Sequence, residues 1–162
     1  MSRISNKEQK IYTRDALQRV IAGWKATGKT VAFTNGCFDI LHRGHLYSLN
    51  AAAGEADYLV VAVNSDRSVR KLKGESRPVN DEQSRALVIA ALQMVDAVVI
   101  FDEENPRELI KTLQPHVLVK GGDYTIDQIA GAREVISYGG KVVLNPIIEG
   151  FSTSGIITRL QR

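Results

Sequence analysis

The chain has 162 residues, of which 44% are apolar and 24% charged, and its net charge is +3. This length suits a single domain with a substantial core. No apolar run reaches the roughly 20 residues of a membrane helix, the opening MSRISNKEQKIYTRDALQRV lacks the apolar stretch of a secretory signal, and Cys37, the one cysteine, forbids an intrachain disulfide. Neither a membrane nor an export route is expected, and a cytoplasmic address is the default.

Residues 1–29 read as a helical lead-in, with Leu17, Val20, Ile21 and Trp24 at helical spacing and Gly28 as a stop. Residues 30–162 read as one domain. VAFTNG is a short buried strand with its exit turn, CFDILHRG a loop, and a helix is predicted from about His45 through LYSLNAAAGEA. YLVVAV is nearly continuous in apolar residues, as in a strand covered on both faces of a parallel sheet. The basic run SDRSVRKLKGESRPV is read as a connection, followed by a helix near Asp81 to Leu92 and the strand AVVIF. Pro106 marks the next helix start. A short strand, VLV, then ends at KGGD, a helix is expected over about Ile126 to Ser137, KVVLN is the last strand, and the closing helix begins near Ser154.

Strands alternating with helices predict an α/β fold: a doubly wound, Rossmann-like parallel sheet in three α/β/α layers. Such sheets bind ligands beyond the carboxyl ends of their strands, at the switch in strand order. NGCFDILHRGH, KGGDY and EGFSTS all fall at strand exits. His42 and His45 flank the start of a helix, where free N–H groups and the positive end of the helix dipole favour an anion. Gly44 between them leaves room for a nucleotide against the backbone. A metal half-site is the competing reading of two closely spaced histidines, and it lacks a clear third ligand. The positive charge is dispersed except for Arg67, Arg70, Lys71 and Lys73, and aromatics make up 6% of the chain. That fits a small anionic substrate and not a nucleic acid. No Ser-His-Asp or Cys-His arrangement suggests nucleophilic catalysis.

NGCFDILHRGH resembles the signature of the HxGH nucleotidyltransferase superfamily, in its cytidylyltransferase-like branch. The resemblance runs from Val31 to near the end of the chain. Within that branch VAVNSD, LKGESRPVN, LVKGGDY and FSTSGII are similar to the adenylyltransferases that act on heptose 1-phosphate. The resemblance implies transfer of AMP from ATP, carrying Mg²⁺, to a sugar 1-phosphate, with an activated sugar for lipopolysaccharide core or a similar glycan as product. It implies His42, His45 and Lys73 as the catalytic groups, although Lys71 could supply the cation instead. Asn35, Gly36, Cys37, Phe38, Gly44, Lys120, Gly121, Ser152, Thr153 and Ser154 would hold the nucleotide. Asp39, Arg77, Arg85, Asp123 and Tyr124 would face the sugar phosphate. A homodimer is implied too, and because many relatives carry a fused sugar kinase, separate kinase and phosphatase partners are expected. The alternatives are a cytidylyltransferase acting on glycerol 3-phosphate or phosphoethanolamine, and a non-catalytic nucleotide-sensing module.

Overall fold

The computed structural model describes residues 7–161; the remainder of the 1–29 lead-in and of the 30–162 domain, residues 1–6 and 162, lies outside the described residues. After a 3-10 turn at Lys7–Lys10 come β1 (Ile11–Tyr12), α1 (Arg14–Ala26), β2 (Val31–Gly36), α2 (Arg43–Ala53), β3 (Tyr58–Asn64), α3 (Asp66–Lys73), α4 (Glu82–Ala90), β4 (Ala97–Phe101), α5 (Arg107–Leu113), β5 (Val117–Gly121), α6 (Ala132–Ser137), β6 (Lys141–Asn145) and α7 (Thr153–Leu160). The six strands form one parallel sheet in the order β1-β4-β3-β2-β5-β6. From β2 the chain moves outward to β3 and β4 on one side, and β5 and β6 lie on the other. The switch point therefore falls at the carboxyl end of β2.

Alternate residues of the central strands feed two apolar layers, as the two-residue strand period requires. Val31, Phe33, Val60, Ala62, Val99 and Leu118 pack with Leu17 and Ile21 of α1, Leu109 and Ile110 of α5 and Val135 of α6. Ala32, Leu59, Val61, Val63, Val98 and Val119 pack with Leu49 and Ala52 of α2 and Ala86, Ile89 and Ala90 of α4. Each fully buried Leu, Ile or Phe contributes about 1.5–3 kcal/mol. This two-sided burial makes the strands rigid, and it fixes where their exit loops emerge.

Several elements differ from the sequence expectation. The lead-in is not all helix: Ile11 and Tyr12 pair with Val98 and Val99 as an edge strand, and α1 starts only after Thr13, whose hydroxyl accepts from Ala16 N–H at 3.3 Å. Two residues are too few to show an alternation. The basic connection after β3 contains α3, capped by the Ser65 hydroxyl, which accepts from Ser68 N–H at 3.1 Å. Its charged sequence masked it, because Val69 is its one fully buried apolar residue. The helix expected over about Ile126 to Ser137 is broken by Gly131 at φ +88°, which leaves a 3-10 turn at Ile126–Gln128 and the short α6. The half-buried His116, just before β5, accepts the Val31 N–H on Nδ1 at 3.0 Å.

Candidate active site

The strand exits enclose a cavity of about 760 Å³. Its floor is the end of β2, where Asn35, Gly36, Cys37 and Phe38 line it. A Cβ at Gly36 would lie 3.0 Å from the Phe38 ring, so only glycine lets that ring fold back against the strand end. Phe38 turns there with φ +48°.

His42 is the N-cap of α2, and its Nδ1 accepts the Gly44 N–H at 3.1 Å. Nδ1 is thus an acceptor, which places the ring proton on Nε2. His45, one turn into the helix, stacks on His42 with 3.9 Å between centroids and 26° between planes. Burial lowers the proton affinity of both rings, and for His45 burial followed by its neighbour brings the pKa down to about 4. Both imidazoles are therefore neutral at pH 7 in the free protein and can act as hydrogen-bond donors, not as fixed cations. His45 Nδ1 is buried with no hydrogen-bond partner among the described residues.

Two ammonium groups supply positive charge. Lys120, at the end of β5, is largely enclosed, and burial lowers its pKa. Lys73, the last residue of α3, lines the cavity, whereas Lys71 points to Glu104 at 3.5 Å. Burial raises the Cys37 thiol pKa, opposed by the charges of Lys73, Arg85 and Arg77, so Cys37 is a wall residue and not a thiolate. Beside the histidines, Ser152, Thr153 and Ser154 open α7 and line the cavity. The Ser152 hydroxyl accepts from Gly155 N–H at 3.0 Å, and the Thr153 hydroxyl donates to the Ile40 carbonyl at 3.1 Å, which hooks α7 to the histidine loop. Gly121 and the half-exposed Tyr124 complete the β5 side.

Three expected site residues do not face the cavity. Arg85 is 1% exposed: it donates to the carbonyls of Asn80 at 2.9 Å, Cys37 at 2.6 Å and Asn64 at 2.8 Å, and to the Asp66 carboxylate at 2.8 Å. With four of its five N–H donors engaged inside the protein and no place on the cavity wall, this guanidinium is structural. Asp123 is exposed outside the cavity wall. Gly44 lies behind the His42 ring, where a Cβ would come within 3.0 Å of that ring. Asp39 and Arg77 do line the cavity, but they are bonded to each other at 2.8 Å. Sequence reasoning missed Asn64, Gln128, Ile147 and Phe151, which also line it. Phe151 adjoins the Ser/Thr turn, and that adjacency was the available signal. Among the described residues no group of three or more His, Cys, Asp or Glu is placed to hold a metal ion.

The strand order, the helix layers and the cavity at the switch point are those of the α/β nucleotidyltransferase fold. The chain belongs to the cytidylyltransferase-like family, whose model matches residues 33–159, and it is a nucleotidyltransferase. It is 54% identical to the bifunctional protein HldE of Koribacter versatilis over 94% of this chain and 31% of that protein. It is 56% identical to the bifunctional protein HldE of Gluconobacter oxydans over 88% of this chain and 30% of that protein. The chain thus spans about a third of the length of these curated relatives. Among solved structures it resembles the lipopolysaccharide core biosynthesis protein from Thermoplasma volcanium, with a TM-score of 0.60 and 28% identity, covering 75% of this chain and 98% of that one. Pantoate-beta-alanine ligase from Francisella tularensis, at 14% identity and a TM-score of 0.60 over 84% of this chain and 66% of that one, shares the fold alone.

Proposed function

We propose that this chain transfers AMP from ATP to D-glycero-D-manno-heptose 1-phosphate, giving ADP-heptose and pyrophosphate for the lipopolysaccharide core or a similar surface glycan. The observation that carries this reading is the placement of the stacked His42–His45 pair on the same cavity as Lys73, Lys120 and the start of α7. The 54% identity to a bifunctional HldE protein supports the choice of heptose and ATP.

The acceptor brings its own nucleophile, because a sugar phosphate oxygen is already ionised at neutral pH. The cavity therefore needs no general base. That oxygen forms a bond to the α-phosphorus of ATP while the bond from the α-phosphorus to the bridging oxygen breaks, and pyrophosphate leaves with the electron pair. What the protein must supply is position and charge compensation. The His42 Nε2–H is free to donate to a phosphate oxygen, and His45 lies directly beneath it. The Lys73 and Lys120 ammonium groups offset the repulsion between two polyanions. The N-terminus of α7 adds backbone donors.

Mg²⁺ would arrive on the triphosphate, where it supplies further positive charge. Mg²⁺ usually keeps several waters and needs few protein ligands. The cavity fits that mode: Asp39 is engaged by Arg77 and Glu104 faces Lys71, so among the described residues no pair of free carboxylates lines it. The heptose 1-phosphate would come from kinase and phosphatase steps in the cytoplasm. No helix among the described residues is long and apolar enough to cross a membrane. A homodimer is also proposed. Its support lies on α4 and its approach, where Val79, Leu87 and Val88 are 60%, 40% and 50% exposed. The lead-in helix α1, by contrast, buries its apolar stripe in its own core. Sedimentation velocity should give a two-chain mass, and a purely monomeric profile would remove the dimer.

The central test is a pyrophosphate-release assay crossing ATP and CTP with heptose 1-phosphate, glycerol 3-phosphate and phosphoethanolamine. Release is expected with ATP and heptose 1-phosphate, and EDTA should abolish it. Turnover confined to CTP with another acceptor overturns the reading, as does nucleotide binding without turnover for any acceptor.

A further inference from the structure

Four rings run in a column through the phosphate end of the cavity. Phe38 meets His45 edge-on with 5.4 Å between centroids, His45 stacks on His42 at 3.9 Å, and His42 faces Phe151 at 6.5 Å with 26° between planes. The inner end is fixed, since Phe38 is 9% exposed at the exit of β2. The outer end comes from a distant part of the chain. Phe151 lies on the segment entering α7, held there by the Thr153 hydroxyl on the Ile40 carbonyl and faced by the Arg43 guanidinium 5.8 Å from its ring centroid. The junction is tight. A Cβ at Gly44 would lie 3.0 Å from the His42 ring and 3.4 Å from Phe151 Cβ.

We propose that Phe151 is a positioning residue of the phosphate site, whose ring holds the His42 imidazole in the plane that aims its Nε2–H into the cavity. One hydrogen bond, from Gly44 N–H to Nδ1, sets the tautomer of His42. It does not set the tilt of the ring, because rotation about the bond to an imidazole is broad. The rings on its two sides do, His45 stacked at 3.9 Å inside and Phe151 near-parallel at 6.5 Å outside. An aimed donor matters because stabilisation of a developing charge depends on donors that need no reorganisation during reaction. Phe151 lies on the outer side of His42, whose proton affinity burial lowers. The column thus makes the seating of α7 a condition for a competent histidine pair. The identity of the anion rests on the function proposed above; the geometry of the column does not.

The test uses Phe151→Leu, Phe151→Ala and Phe151→Tyr in the full chain, with two readouts. The first is NMR titration of His42 in the free protein. The second is kcat and KM for ATP by pyrophosphate release. Phe151→Tyr keeps the ring and should match the parent in both. Phe151→Leu and Phe151→Ala should move the His42 titration up toward the ordinary 6.5. They should lower kcat about tenfold, a fraction of the roughly 100-fold that losing a donor outright costs, with KM changed less than about threefold on that account. An unchanged unfolding midpoint for Phe151→Leu shows the fold intact. Parent-like titration and kcat in Phe151→Leu would overturn the proposal, as would a rise in KM at constant kcat, which would make Phe151 a nucleotide contact instead. If the parent turns over no acceptor at all, the function reading fails, and the His42 titration still decides the positioning role.

Discussion

Arg77 and Asp39 form an ion pair at 2.8 Å, with side chains 12% and 0% exposed. The same carboxylate accepts the backbone N–H groups of Val79 at 2.8 Å and Asn80 at 2.9 Å, so Asp39 clamps the 77–80 loop onto the loop that follows β2. Burial opposes its ionisation, but the N–H groups of Asn80 and Val79 and the Arg77 side chain outweigh burial and hold the carboxyl below its ordinary range. Asp39→Asn keeps the shape and removes the charge, and breaking a buried pair in this way should cost about 3 kcal/mol. Because the folded pKa lies below the unfolded 3.8, the contribution is fully present above about pH 4 and is lost as pH falls further. Urea unfolding at pH 7 and pH 3 checks this: the gap between parent and variant should narrow in acid. A gap of equal size at both values contradicts the clamp.

Arg85 does for the backbone what Asp39 does for the loop. Its Nη1 bridges the carbonyls of Cys37 and Asn64, and so ties the exit of β2 to the exit of β3. Lysine carries the charge but cannot span these acceptors with a planar fork. Arg85→Lys should cost about 2–4 kcal/mol of stability, since it leaves buried carbonyls and Asp66 without their donors. Turnover should fall about tenfold through displacement of the Cys37 loop. Arg85 does not line the cavity, so KM for ATP and KM for the acceptor should shift together. A rise confined to the acceptor KM would restore Arg85 to the sugar-phosphate side.

The layered fold was legible because each central strand is a saturated apolar run, such as YLVVAV, and each exit carries a polar or glycine cluster. That His42, His45 and the Ser/Thr turn would come together was legible for the same reason, since all sit at exits, and they line one cavity. Three things were hidden. The two-residue β1 has no readable period. In α3 the charge obscures the single buried Val69. The partner of a buried polar residue is a tertiary fact: Arg85 and Asp39 have the composition of ligand contacts, and only their neighbours show that their hydrogen bonds are already satisfied within the protein. Phe151 was passed over for the converse reason, because an aromatic beside a polar turn has no period to mark its role.

His45 carries a pH signature that can be read without any substrate. Its pKa of about 4 lies below the ordinary 6.5, so the unfolded chain binds this proton more readily than the folded one. Stability should therefore be fully present above about pH 6.5 and fall as the pH drops toward 4, by up to about 3 kcal/mol from this group. His45→Gln should flatten that part of the stability profile, as followed by denaturant midpoints at half-unit intervals of pH. In the parent, the His45 ring resonances should titrate near 4. Turnover of His45→Ala should drop by at least about 100-fold with the fold retained. A near-normal rate in that variant would remove His45 from the reaction centre.

Lys73 and Lys71 sit two residues apart in the last turn of α3 and separate cleanly in the structure. Lys73 lines the cavity, while Lys71 reaches Glu104 at 3.5 Å with both side chains more than half exposed. An exposed pair of that kind is worth about 0–1 kcal/mol, so little is lost with it. An ammonium facing a triphosphate acts instead where charge is greatest and water is partly excluded. Lys73→Ala should lower kcat/KM for ATP about 100-fold, and Lys71→Ala should stay within about threefold of the parent. Lys73→Arg tests whether charge alone suffices: a point charge can be replaced by a guanidinium only if the cavity admits the larger head group, so partial recovery is expected. Equal losses in the two alanine variants would mean that α3 moves on binding and presents both lysines to the phosphates.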